Sequence, residues 1–346
     1  MWGPIVACPR EGLGNQLGCV LAALQFGAAV APQREVHVLD RKTNVSTHGG
    51  SHAEDVFAFW PGVPRMSVAD MQAHRLHTRS QSMLMQKRLR DAPRSDAAIR
   101  FRSTVAHMQT TDFGGAEALI ARQGALPAPR LPLRELVNEE AFNVRDALFM
   151  HVRRGDYTST WICRTRFALD LHARYYPLAL QSFAEPLRRG ARVLVCSDDI
   201  EWCREVLPRQ YAEAVPQEAW CFTSAACGAH DTLSLMAQCG LGGILANSSL
   251  SWCGAMWGRS LGETYGQPRE RRMYVGPSNF MRAPWPMTSA MSRRALPPWC
   301  AHIGVLNARG TQSTSYEYVG AAALFAACIL ALALARRQAR RGQSSR

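Results

Sequence analysis

ALFMHVRRGDY, residues 147–157, runs an apolar segment straight into a histidine, two arginines and an aspartate. Unbroken apolarity over ALFMHV (147–152) predicts a strand covered on both faces, as parallel strands are. Charges at the exit of such a strand are placed to hold something. Two more runs share the form. ARVLVC (191–196) leads into Ser197-Asp198-Asp199, and GGILA (242–246) leads into Asn247-Ser248-Ser249. Helical patterns at 167–183 and 201–207 lie between the runs. At the start of the chain, Pro4–Cys8 reads as a strand, Gly12–Asn15 as a tight turn, Gln16–Ala31 as a helix and EVHVLD (35–40) as a second strand. Strand, helix, strand repeated in this way predicts a doubly wound α/β architecture.

The 346 residues leave room for one large or two medium domains, and 47% hydrophobic with 19% charged residues suits a sizeable core. The net charge is +13, carried almost wholly by arginine, since Lys42 and Lys87 are the two lysines. The arginines are scattered and no basic face interleaves with aromatics, so no nucleic-acid partner is expected. Eleven cysteines show no CxxC pair and no zinc spacing, so no metal is expected. Cys221 and Cys227 are near enough in sequence to pair in an oxidising compartment. Cys163, Cys203 and Cys300 are further candidates, while Cys196 and Cys239 sit in apolar runs as buried thiols.

In an open α/β sheet, ligands bind beyond the carboxyl ends of the strands. The three polar clusters, with Gly12-Leu13-Gly14-Asn15 after the first strand, therefore converge on one site. Their chemistry suits a nucleotide sugar. Arginine offers a planar charged fork for phosphate oxygens. Ser248 and Ser249 at a helix start add donors aided by the helix dipole. Asp198 is an acceptor for a guanine edge or a ribose hydroxyl, and His151 is a donor or acceptor beside it. Each cluster alone has a plainer reading. Ser197 or Asp198 suits a helix cap, Asn247-Ser248-Ser249 a cap or glycosylation acceptor, and Arg153 with Asp156 a structural ion pair. Their recurrence at equivalent topological positions favours a ligand site.

GLGNQ, HVRRGDY, SDDIEW and ANSSLSWCGAMW, in that order, resemble the α-1,2-fucosyltransferases of glycosyltransferase family 11, from about residue 10 to residue 300. The resemblance implies a GT-B-like fold of two Rossmann-like domains with a cleft between them. Residues 1–145 would form the acceptor-side domain and 146–309 the GDP-fucose-binding domain. It implies inverting, metal-independent transfer of L-fucose from GDP-fucose to the 2-hydroxyl of a galactose-terminated glycan, with no cofactor. Carried over, Arg153 matches the arginine facing the donor's β-phosphate, and His151 and Asp198 match guanosine-recognising positions. Asn15, Arg154, Asn247, Ser248 and Ser249 complete the implied donor site. Asp156 is the candidate general base by motif, with partnership to Arg153 or Arg154 the alternative. Cys253 and Met256 stand where the family usually has tryptophan, and Gly240-Leu241 where it has a basic residue and histidine. Those departures leave a non-catalytic homologue that binds nucleotide or glycan as the alternative function.

Residues 310–318 read as a polar linker. VGAAALFAACILALALA (319–335) then gives 17 uncharged residues, about 26 Å of helix, followed by an arginine-rich tail at 336–346. The expectation is a single C-terminal transmembrane helix, with Tyr316 and Tyr318 at the interface and the catalytic part lumenal, in the Golgi. Asn44-Val45-Ser46 would then be a glycosylation acceptor.

Overall fold

The structure is a computed structural model describing residues 3–9, 11–30, 32–40, 52–74, 76–78, 98–102, 113–137, 139, 142–166, 171–261, 272–278 and 299–303. Two parallel sheets follow one another along the chain. The first comprises β1 (Ile5–Cys8), β2 (Val36–Leu39), β3 (Arg65–Met66), β4 (Leu76–Thr78) and β5 (Ala98–Arg102), in the order β3-β2-β1-β5-β4. The second comprises β6 (Ala147–Val152), β7 (Arg192–Ser197), β8 (Trp220–Phe222), β9 (Gly242–Ile244), β10 (Met273–Pro277) and β11 (Cys300–Ile303), in the order β11-β10-β9-β6-β7-β8. From β6 the chain winds outward through β7 and β8, then returns to β6 and winds the other way through β9, β10 and β11. This is double winding with its switch point between β6 and β9. Parallel sheets with helical crossovers are consistent with the GT-B-like expectation.

The apolar runs are continuous because both faces are covered. Along β6, Ala147 and Phe149 join one core cluster while Leu148, Met150 and Val152 join another, the period of two expected of a strand. The first cluster also takes in Ile5, Leu17 and Val20 from the beginning of the chain, so one apolar core runs from the first sheet to the second. Its central element is the helix Ser249–Leu261, in which Trp252, Cys253, Met256 and Trp257 are all buried. Trp257 donates its indole N–H to the carbonyl of Ala125 at 2.9 Å and meets Phe59 and Trp60 edge to face. The helix Leu13–Val30 is apolar on every side and correspondingly buried, as a helix inside a core must be.

Several expectations are corrected here. The expected turn at Gly12–Asn15 is in fact the start of that helix, with Gly14 and Asn15 in its first turn. Gly14 is needed for packing: a Cβ there would stand 2.5 Å from the Leu250 amide nitrogen, so the two helix starts meet backbone to backbone. The paired cysteines do not appear. Among the described residues Cys221, Cys227, Cys163, Cys203 and Cys300 are free thiols. The C-terminal transmembrane helix is also withdrawn. Among the described residues no helix is long and apolar enough to cross a membrane, and 319–335, the linker 310–318, the tail 336–346 and Asn44-Val45-Ser46 lie outside the described residues. The single-pass membrane placement, the Golgi localisation and the membrane partner are withdrawn with it. β3, β4, β5, β8, β10 and β11 were not legible in the sequence, being short, two to five residues each.

Candidate active site

A cavity of about 900 Å³ opens beyond the carboxyl ends of the second sheet, at the β6/β9 switch point. Its floor is the turn after β6. Arg153 is about one-fifth exposed and gripped on both sides. Nη2 donates to Asp156 Oδ1 at 2.6 Å, and Nη1 lies 2.7 Å from Asp198 Oδ2. The same Asp198 accepts the Arg154 backbone N–H at 2.8 Å through Oδ1. Its close approach explains Gly155, where a Cβ would collide with the Asp198 carboxylate. Arg, Gly and Asp in RRGD thus form a bracket that fixes one guanidinium across β6 and β7.

Two tyrosines brace the strand exits. Tyr157 donates its hydroxyl to the Asn247 carbonyl at 2.9 Å, tying the β6 turn to the residues after β9. Tyr176, on the helix Tyr175–Ser182, donates to the His151 carbonyl at 2.8 Å. His151 itself is 3% exposed, with its Nδ1 buried and unpartnered among the described residues. Burial lowers its pKa to about 4, with Arg153 reinforcing and Asp198 opposing, so the ring is neutral at physiological pH.

More of the wall comes from the start of the chain, from residues 52–55 and from the connector before β6. Glu11 holds a left-handed backbone (φ 66°) just ahead of the helix Leu13–Val30 and accepts from the Asn15 amide at 2.7 Å. Burial raises its pKa, against the lowering effect of that hydrogen bond. Further along, His52 Nδ1 lies 2.9 Å from Asp55 Oδ2, and the other Asp55 oxygen takes the Arg130 guanidinium. Burial alone would raise the Asp55 pKa, but the His52 hydrogen bond and the Arg130 charge bring it below the usual carboxylate value. The Arg130 backbone N–H in turn donates to Asp231 Oδ1 at 2.7 Å.

Of the residues expected at a site, the cavity brings together Asn15, His151, Arg153, Asp156, Asp198, Ser248 and Ser249. Two are placed elsewhere. Arg154 lies over the face of Trp202 at 3.6 Å with its Nε on Asp199 at 2.9 Å, and Asn247 is 1% exposed beneath the wall. Asp156 is fully engaged, since its Oδ2 also faces the Cys163 thiol at 3.6 Å. Sequence reading missed Glu11, His52, Asp55, Arg130 and the segment 227–232, because no motif singles them out and only the fold gathers them. Cys253 and Met256 are wholly buried and do not line the cavity; Cys253 donates to the Gly14 carbonyl at 3.4 Å. Its thiol is pushed up to about 12 by burial and is inert.

Against known proteins, no curated sequence matches. Among solved structures, the chain is similar to NodZ alpha-1,6-fucosyltransferase soaked with GDP-fucose, at 15% identity, 75% of this chain and 93% of that one, TM-score 0.43. It is similar to fucosyltransferase NodZ from Bradyrhizobium at 16% identity, 73% and 93%, TM-score 0.41. The NodZ enzyme co-crystallised with GDP gives 16%, 73% and 92%, TM-score 0.42. Likenesses this distant fix neither fold nor chemistry. The family profile is more direct. It matches Glycosyl transferase family 11 over residues 131–261, which supply β6 to β9, the Arg153 bracket and the helix Ser249–Leu261.

Proposed function

We propose that the protein transfers L-fucose from GDP-fucose to a hydroxyl of a glycan, the 2-hydroxyl of a terminal galactoside being the acceptor its motifs favour. The observation that carries this reading is the placement of Arg153 in the cavity at the switch point, near the starts of the helices Leu13–Val30 and Ser249–Leu261. Loss of GDP from the sugar builds negative charge on the β-phosphate. A fixed guanidinium and two positive helix ends stabilise that charge without proton transfer.

The cavity wall also carries five carboxylates, from Glu11, Asp55, Asp156, Asp198 and Asp231. They bear on the mechanism in two ways. Asp156 and Asp198 occupy the fork of Arg153, so the diphosphate binds by replacing one of them, and the bracket keeps the guanidinium aimed until it does. The remaining negative field favours the oxocarbenium-like sugar that forms as the C1–O bond breaks. Asp198 and Asp199 are adjacent, and Asp199 is held by Arg154.

The test is GDP release. Purified protein with GDP-fucose and a β-galactoside should yield GDP and a fucosylated product, and a panel of acceptors identifies the hydroxyl used. Stabilisation by GDP without product from any acceptor would instead support a binding protein.

A further inference from the structure

The reaction proposed above must also take a proton from the acceptor hydroxyl, and Asp156, the motif's candidate, is paired with Arg153, the residue assigned to the leaving group. The same cavity holds a better-built group at residues 52–55. We infer that His52 is the general base, oriented by Asp55; this rests on the transfer reading. His52 stands at the N-cap position of the helix Ala53–Phe59 and makes no capping hydrogen bond to its backbone; its partner is the Asp55 side chain in the first turn of the same helix. Its Nδ1 is engaged by Asp55, which sets the proton on Nδ1 and leaves the lone pair on Nε2. Asp55, 5% exposed, is itself fixed by the Arg130 guanidinium, and Arg130 is anchored through its N–H to Asp231 on the helix Ala229–Gln238. A buried carboxylate held between an imidazole and a guanidinium is an orienting device, costly to keep unless the imidazole needs a fixed direction.

Placement agrees with the chemistry. His52 lines the same cavity as Arg153 but belongs to the part of the chain that carries the first sheet, whereas Arg153 follows β6 of the second. Inversion requires the base on the attacking face of the sugar and the charge stabiliser on the leaving face, roles that fall to His52 and Arg153 respectively. In the step, the acceptor O–H proton passes to His52 Nε2 and the oxygen lone pair forms the new bond to C1. The C1–O bond to the diphosphate breaks, and its electron pair goes to the phosphate oxygen facing Arg153. The imidazolium then returns its proton to water.

Charged and titratable groups around His52 are Asp55 and Glu54 on its own helix, Arg130 on the connector, His230 and Asp231 on the helix Ala229–Gln238, and Glu11 on the turn after β1. Asp55, Arg130, His230 and Asp231 line the cavity as well; Glu11, whose carboxylate accepts from the neutral Asn15 amide and whose pKa burial raises, is the rival base.

The test compares pH–rate profiles of the full protein and its H52Q, H52A, D55N and E11Q variants. GDP-induced thermal stabilisation serves as the check on folding and donor binding. H52Q is expected to lose about 10²–10⁴-fold in kcat, to keep its stabilisation by GDP, and to lose the acid limb that the wild type shows. D55N should keep that limb but move it to lower pH, because imidazole loses basicity without its carboxylate. Added imidazole should restore part of the turnover of H52A. An acid limb that survives in H52Q and vanishes in E11Q assigns the proton to Glu11 and overturns the proposal. Wild-type turnover matched by H52Q overturns it too. A wild type that releases no GDP with any acceptor sinks the transfer reading itself, and the base with it.

Discussion

Gly14 and Leu250 meet backbone to backbone: a Cβ on the glycine would fall 2.5 Å from the Leu250 nitrogen and 2.8 Å from its Cα. The contact brings together the starts of two helices from opposite halves of the chain, and Cys253 seals it with a hydrogen bond to the Gly14 carbonyl. Main-chain atoms line both sides, so no rotamer change relieves an added methyl. G14A should therefore cost about 1–3 kcal/mol, the usual penalty of overpacking, and abolish protection by GDP. Thermal unfolding with and without GDP measures both effects.

Arg153 should carry most of the leaving-group stabilisation. R153A is expected to lower turnover about a thousandfold, the effect of removing about 3–4 kcal/mol of preorganised charge. R153K should recover little, because lysine is a point charge and cannot bridge two carboxylates while presenting a planar fork. Single-turnover rates with GDP-fucose check both variants. Near-normal rates in R153A would remove the basis of the proposed mechanism.

Gly155 tests whether the bracket matters separately from the charge. In G155A the new methyl meets the Asp198 carboxylate and pushes it off Arg153. The expected result is a large loss of activity with the fold retained, seen as a kcat decrease of at least tenfold against an unfolding temperature changed by only a few degrees. Equal losses of both would make Gly155 merely structural.

His151 predicts how stability depends on pH. Burial lowers its folded pKa to about 4 from the ordinary 6.5. Between those values the unfolded chain binds a proton that the folded chain refuses, so stability falls as pH falls through this window. The slope from this group approaches at most about 1.4 kcal/mol per pH unit. H151N should flatten that part of the curve, as followed by urea unfolding at a series of pH values.

Trp257 tests the shared core. W257F removes the N–H that satisfies the Ala125 carbonyl and alters the edge-to-face contacts with Phe59 and Trp60. A loss of about 1–3 kcal/mol is expected from the stranded carbonyl. A single unfolding transition should persist, because the apolar cluster runs continuously between the sheets.

The sequence by itself determined the strands β1, β2, β6, β7 and β9 and the charged turn that β6 feeds. ALFMHV is strand β6 residue for residue, and ARVLVC differs from β7 by one residue at each end. Such runs are legible because a strand buried on both faces leaves no polar position in its own sequence. The cluster at residues 151–156 and Ser248-Ser249 were legible for a related reason: polar residues at the exit of a parallel strand have one end of the sheet to occupy. Only the tertiary structure decided what those side chains do. Asp198 became a partner of Arg153 because β7 lies beside β6, and Arg154 turned to Trp202 and Asp199. Gly14 proved to be a packing contact with a helix more than two hundred residues away. His52, Asp55 and Arg130 carry no motif, because a cavity wall assembled from two halves of a chain has no local spacing. Apolar burial is written along the chain; convergence on a cavity is a property of how the sheets are brought together.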